Sequence, residues 1–225
     1  MEECKIKNLF SLENTIAKSL LEKYEYPWEV LSEIKKYIIE LGNTLSEDEY
    51  DKIGENIWVA KTAKVAKTAY LNGPLIICDN AEIRHSAFIR GSAIVGKNAV
   101  VGNSTELKNV ILFDNVQVPH YNYVGDSILG YKSHMGAGSI TSNVKSDKKL
   151  VIIKNRESGE KIETGIKKVG AIIGDNVEVG CGSILNPGSI IGKNTNIYPL
   201  SSVRGVIRKN SIYKNQNEIV TKIED

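Results

Sequence analysis

The stretch AIIGDNVEVGCGSILNPGSIIGKNTNI, residues 171–197, carries a branched aliphatic at Ile173, Val179, Leu185, Ile191 and Ile197, a constant step of six. Amphipathic helices repeat near 3.6 residues and half-buried strands near 2, so neither produces this spacing. A step of six marks a parallel β-helix built from hexapeptide units. Each unit predicts a short strand, its aliphatic inside and a small residue where the chain turns. Three units close a triangular coil of about 18 residues, and successive coils stack at the ~4.8 Å spacing of neighbouring strands.

The same step runs through Val59, Val65, Leu71, Ile77, Ile83, Ile89, Val95, Val101 and Leu107, with Ala63, Ala69, Ala81, Ala87, Ala93 and Ala99 four places later, and it ends at Val203. Between the two blocks the interior series continues through Leu112, Val118, Val124, Leu129 and Met135, two of its units being one residue short where the chain cuts a corner. Residues 144–170 break phase, and VIIKNRESGEKIETGI within them has apolar flanks around Ser158-Gly159, which predicts a hairpin. Residues 1–54 differ in composition. Pro27 and Gly42 bracket a helix whose apolar face holds Leu31, Ile34, Ile38 and Leu41, and residues 11–24 predict a shorter one. The expected organisation is therefore a helical segment over 1–54, a β-helix over 55–210 with its insertion at 144–170, and a tail over 211–225.

The bulk properties exclude several functions. A formal net charge of +2 with both signs interspersed gives no basic face for nucleic acid. No run of about 18 apolar residues is present, and the first fifteen residues lack the core of a signal peptide. Cys4, Cys78 and Cys181 are odd in number, far apart and not in metal-binding spacing, which fits a reduced, cytoplasmic protein.

Coil register converts sequence distance into spatial distance. Arg90 follows interior Ile89 and Lys108 follows interior Leu107, so the two cations share a column in adjacent coils, ~5 Å apart. Like charges so stacked call for an anion between them, a phosphate site, or for a carboxylate such as Glu106. His120 lies two residues after interior Val118 and projects outward; Tyr123, Asn143 and Lys149 are expected on the same side. A histidine in such company is a candidate base.

At these residues the sequence resembles the acetyltransferase domain of bifunctional glucosamine-1-phosphate N-acetyltransferase/UDP-N-acetylglucosamine pyrophosphorylases, over about residues 55–210. In that family an arginine and a lysine with the spacing of Arg90 and Lys108 hold the sugar phosphate. The catalytic histidine lies in a segment like HLTYLGDAEIG, matched here by HYNYVGDSILG from His120, and MGAGSITSN matches the family's IGAGTITCN. The substrate-binding tyrosine, asparagine and loop lysine fall on Tyr123, Asn143 and Lys149. His134 stands where the bacterial enzymes have a substrate-contacting asparagine, Cys181 replaces a serine near the acetyl-CoA, and Pro199 replaces an alanine beside the cofactor. The segment ETGIKKVGAIIGDNVEVGCGSILNPGSIIG is most similar to archaeal-type sugar-phosphate nucleotidylyltransferase/acetyltransferases.

The resemblance implies a left-handed parallel β-helix in the all-β class with a small N-terminal α-helical segment. It also implies transfer of acetyl from acetyl-CoA, without a metal, to the 2-amino group of a hexosamine 1-phosphate, with glucosamine 1-phosphate the expected acceptor. In a homotrimer acetyl-CoA would lie between subunits near Ala137, Cys181 and Pro199. No glycine-rich LxxGxGTRM loop precedes the repeats, so a pyrophosphorylase half is not expected in these 225 residues. Competing readings are a non-catalytic sugar-phosphate or nucleotide-sugar binding protein and an acyltransferase for another amino sugar. A zinc carbonic anhydrase on the same scaffold needs three histidine ligands; His85 and His120 share a column, but His134 lies outside it.

Overall fold

The computed structural model describes residues 1–215 and 217–222. From Ile57 the chain winds into stacked triangular coils whose strands pair in parallel, making the left-handed β-helix of the hexapeptide repeats. The aliphatics at steps of six fill the interior: Ile77, Ile89, Val95, Val101, Leu107, Leu112 and Leu129 are all fully buried. Corners are turned by residues in the left-handed region, mostly asparagine and serine, such as Asn80, Asn98, Ser104 and Asn176. Asparagine tolerates this region better than most residues with a Cβ. The two shortened units appear as strands that run straight across a corner, Glu106–Leu112 and Tyr123–Leu129, with Asn109 and Asp126 at the bend.

The prism has three faces. On the first, Lys64, Glu82, Val100, Gln117, His134, Glu178 and Asn196 pair in sequence from coil to coil. On the second, the column is Tyr70, Phe88, Glu106, Tyr123, Ile140, Ile184 and Ser202. The third differs in chemistry. Its outward column is Trp58, Ile76, Ile94, Ile111, Ile128, Ile172, Ile190 and Val206, an external ladder in which every member is buried.

The N-terminal segment covers that ladder. The helix Ile34–Gly42 packs on the strands Leu75–Ile77, Ala93–Val95 and Glu106–Leu112, and Pro27–Ser32 packs on Tyr123–Leu129. Farther along, Phe10 meets Phe113 with ring centroids 5.0 Å apart. The buried Asp175 carboxylate accepts the Ser11 N–H at 2.8 Å and pairs with Lys193 at 2.9 Å. The helix expected over 27–42 is interrupted at Glu33: Pro27–Ser32 is a 3-10 helix. That pitch eclipses residues three apart, which turns Pro27 with Val30 and Trp28 with Leu31 into the core. The helix expected over 11–24 also breaks, into Leu12–Asn14 and Lys18–Leu21. Thr15 is extended, its hydroxyl accepts the Ala17 N–H at 3.1 Å, and the Asn14 carbonyl turns to Asp114 instead of into a helix.

The insertion forms the expected hairpin, Ile152–Lys154 against Lys161–Glu163, with Gly159 in the left-handed turn. The tail expected from residue 211 instead prolongs the stack. Ser211–Asn215 pairs in parallel through Ile212 with Asn196 and Tyr213 with Ile197, and Glu218–Thr221 folds back on it antiparallel. At the other end Tyr50–Gly54 folds antiparallel on Ile57–Ala60. Residues 216 and 223–225 of the tail lie outside the described residues. Among the described residues no helix is long and apolar enough to cross a membrane.

Candidate functional site

Arg90 and Lys108 occupy adjacent coils on the second face, as the register requires, because Phe88 pairs with Glu106 and Ile89 with Leu107. Each cation already has a carboxylate. Arg90 Nη1 lies 2.8 Å from Glu106 Oε1, and Lys108 Nζ lies 2.9 and 3.0 Å from the two oxygens of Asp126. Asp126 is the residue that sequence reasoning missed. Its carboxylate is buried and also accepts Asn109 Nδ2 at 2.9 Å and the Asn143 amide. Asn143 Nδ2 further reaches the Tyr123 hydroxyl at 3.3 Å. Burial, then the nearby Asp126 and Glu106 carboxylates, raises the Tyr123 phenol, which stays a protonated donor. The Glu106 partner raises the Arg90 guanidinium. Arg90, Lys108, Tyr123 and Asn143 thus form one polar cluster at the corner between the second and third faces, centred on a carboxylate. The signal available for Asp126 was its place in YVGDSIL, at the bend of a shortened unit.

His120 lies at the preceding corner, between the first and second faces. Gly102, one coil earlier, has no Cβ and so lets Pro119 stack directly against it. His120 pairs with Asn103, whose own coil neighbour is His85. Its imidazole is exposed and has no hydrogen-bond partner among the described residues, while its backbone N–H donates to Asn122 Oδ1 at 3.0 Å. Above it, the His120 carbonyl accepts the Gly138 N–H, that of Ala137 accepts Gly182, and that of Cys181 accepts Leu200. Successive bonds of this pattern stack His120, Ala137, Cys181 and Pro199 in one column along the edge of the prism. Exposed apolar side chains gather on both sides of this edge: Tyr70, Phe88, Tyr121, Ile184, Tyr198 and Leu200.

Two candidates fall outside these groups. His134 sits on the first face, level with Gln117, and its Nδ1 is 2.7 Å from Glu178 Oε2. Lys149 is exposed on the insertion; its backbone N–H caps Asp147. Cys181 is exposed, whereas burial pushes the thiols of Cys4 and Cys78 up to about 12.

Stacked coils of six-residue units and an edge of this kind define a hexapeptide-repeat β-helix protein. A family profile described as the GMPPB C-terminal domain matches residues 71–155. The chain is 38% identical over 120 residues to the "Bifunctional protein GlmU" of Methanococcus maripaludis (strain C5 / ATCC BAA-1333), a match spanning 53% of this chain and 28% of that relative. It is 36% identical over 96 residues to the "Bifunctional sugar-1-phosphate nucleotidylyltransferase/acetyltransferase" of Sulfurisphaera tokodaii, spanning 43% of this chain and 23% of that one. The chain thus corresponds to under a third of these relatives' length. Among solved structures, the polySia specific acetyltransferase NeuO superposes with a TM-score of 0.52 at 17% identity, covering 71% of this chain and 80% of that chain, and so shares the fold. The chain is thus similar, over about half of its own length, to part of bifunctional sugar-1-phosphate nucleotidylyltransferase/acetyltransferases.

Proposed function

We propose that this chain transfers an acetyl group from acetyl-CoA to the 2-amino group of a hexosamine 1-phosphate, glucosamine 1-phosphate first among them. The product, an N-acetylhexosamine 1-phosphate, would feed nucleotide-sugar synthesis in the cytoplasm. The observation that carries the reading is the column of His120 below Ala137, Cys181 and Pro199, one corner from the Arg90–Lys108 pair. In this reading the acceptor phosphate binds at Arg90 and Lys108, and Tyr123 and Asn143 orient the sugar. Lys149 closes over the sugar from the insertion. The amine nitrogen attacks the thioester carbonyl as the His120 imidazole takes its proton; the C–N bond forms, the C–S bond breaks, and the imidazolium returns that proton to the departing thiolate, so that CoA leaves as the thiol. The small residues above His120 leave room for the extended arm of the donor. His134 can meet substrate only from a neighbouring subunit.

That requirement agrees with a homotrimer. The third face is covered by the N-terminal segment, so the edge with its exposed apolar residues is left for self-association. Light scattering should report about three times the chain mass; a stable monomer would remove the intersubunit donor site. The activity itself is tested by a thiol-release screen of acetyl-CoA against amino-sugar phosphates and UDP-linked amino sugars. Release with glucosamine 1-phosphate supports the proposal. Binding without release across the panel favours a non-catalytic sugar-phosphate binding protein.

A further inference from the structure

Asp126 ties together parts of the molecule that are distant in sequence. It stands at its corner with φ of 47°, and its side chain is 5% exposed. Its carboxylate receives Lys108, Asn109 and Asn143, and its backbone carbonyl accepts the Gly170 N–H at 2.8 Å. Asn143 is where the chain leaves the coil for the insertion, and Gly170 is where it returns; the Val169 N–H bonds the Asn143 carbonyl at 3.1 Å. Asn109 in turn donates to the Leu31 carbonyl at 3.1 Å. Asp126 therefore holds the clamp lysine and one root of the insertion through its carboxylate, the other root through its backbone carbonyl and, by way of Asn109, the N-terminal segment.

A lysine ammonium has three N–H donors. The two oxygens of Asp126 lie 2.9 and 3.0 Å from Nζ, which leaves at least one N–H for another partner, on a side chain 25% exposed. The two cations of the cluster face two carboxylates, so the cluster offers an incoming phosphate little net charge. Orientation must then decide affinity.

We infer that Asp126 is the positioning residue of the acceptor site: it fixes Lys108 so that the remaining N–H meets the acceptor phosphate, and it sets Asn143 beside it. The inference rests on the reading above in one respect, that an anionic acceptor reaches Lys108. It predicts a sign opposite to simple Coulomb reasoning. Asp126→Asn removes a negative charge from an anion site, yet it should weaken anion binding by returning side-chain freedom to Lys108.

Calorimetric titration with glucosamine 1-phosphate reads this out without turnover. Asp126→Asn should weaken binding roughly 10-fold, the scale set by the rotamer freedom of a lysine. Lys108→Ala should weaken it roughly 10- to 150-fold, the worth of a charge-assisted hydrogen bond. In the double variant the Asp126 change should add less than about twofold, because it acts through Lys108. CoA affinity should stay constant throughout. Unchanged or tighter binding by Asp126→Asn overturns the inference, as does an equal penalty with and without Lys108, the behaviour of a merely structural residue. If the variant fails to fold, the wild-type protein still decides: the ¹⁵Nζ signal of Lys108, assigned by its loss in Lys108→Arg, should be resolved in slow exchange, and a freely rotating signal overturns the inference. Wild-type protein that binds neither glucosamine 1-phosphate nor inorganic phosphate overturns it too. Binding without acetyl transfer defeats only the enzymatic reading.

Discussion

His120→Ala is expected to lower acetyl transfer by about 10²- to 10⁴-fold in kcat, the usual cost of removing a general base. The fold should not notice. The imidazole is exposed and without a hydrogen-bond partner among the described residues, and the bonds that hold this position, from its N–H to Asn122 and from Gly138 to its carbonyl, belong to the backbone. Acceptor KM should change little, since Lys108 and Arg90 lie at another corner and remain in place. Steady-state kinetics with glucosamine 1-phosphate, beside a thermal melt, separate the effects. Retention of more than about a tenth of wild-type kcat would remove His120 from the mechanism. His134, held by Glu178 on the first face, would be the next candidate.

Removing residues 1–49 should abolish soluble expression. The segment packs on strands that present Ile76, Ile94, Ile111 and Ile128 outward, all with no exposed surface. Uncovering an isoleucine costs about 1.5–3 kcal/mol. The four together reach ~10 kcal/mol, comparable to the whole stability of an ordinary domain. A contiguous aliphatic strip of that size also drives association. Ile111→Lys, a single change beneath Ile34–Gly42, should likewise shift the protein into the insoluble fraction. A soluble truncated chain that still melts cooperatively on size-exclusion fractions would show the segment to be an appendage.

The β-helix could be read because its interior aliphatics are spaced by the geometry of the coil itself, and that period survives any choice of outward residue. The same register places Arg90, Lys108, Tyr123 and Asn143 on one side, including the shortened units at Leu107–Leu112 and Val124–Leu129. It also expects His120 and Lys149 there, but the structure sets His120 at the preceding corner and Lys149 out on the insertion. Asp126 escaped because a corner position has no period to betray it, and its partners come from both ends of an out-of-phase insertion. The covered face was visible but unread. Doublets such as Ile76-Ile77, Ile94-Val95, Ile128-Leu129 and Ile190-Ile191 mark strands apolar on both sides, which need a cover. The pitch of the N-terminal helices is not legible locally, because burial of Trp28, Val30 and Leu31 is decided by the surface they meet, not by local propensity.

A stack of parallel coils has two raw ends, and each is a row of unsatisfied backbone groups ready to seed another chain. Here one face at each end is turned back. Tyr50–Gly54 runs antiparallel against the first coil, and Glu218–Thr221 does the same against the last. On those faces a neighbouring molecule offering a parallel coil meets a strand of the wrong direction. Those two faces cannot take up a parallel coil, which disfavours growth into a fibre along the molecule's own axis, while Lys64–Val65, Tyr70–Leu71, Ser202–Val203 and Val206–Ile207 each pair on one side only among the described residues.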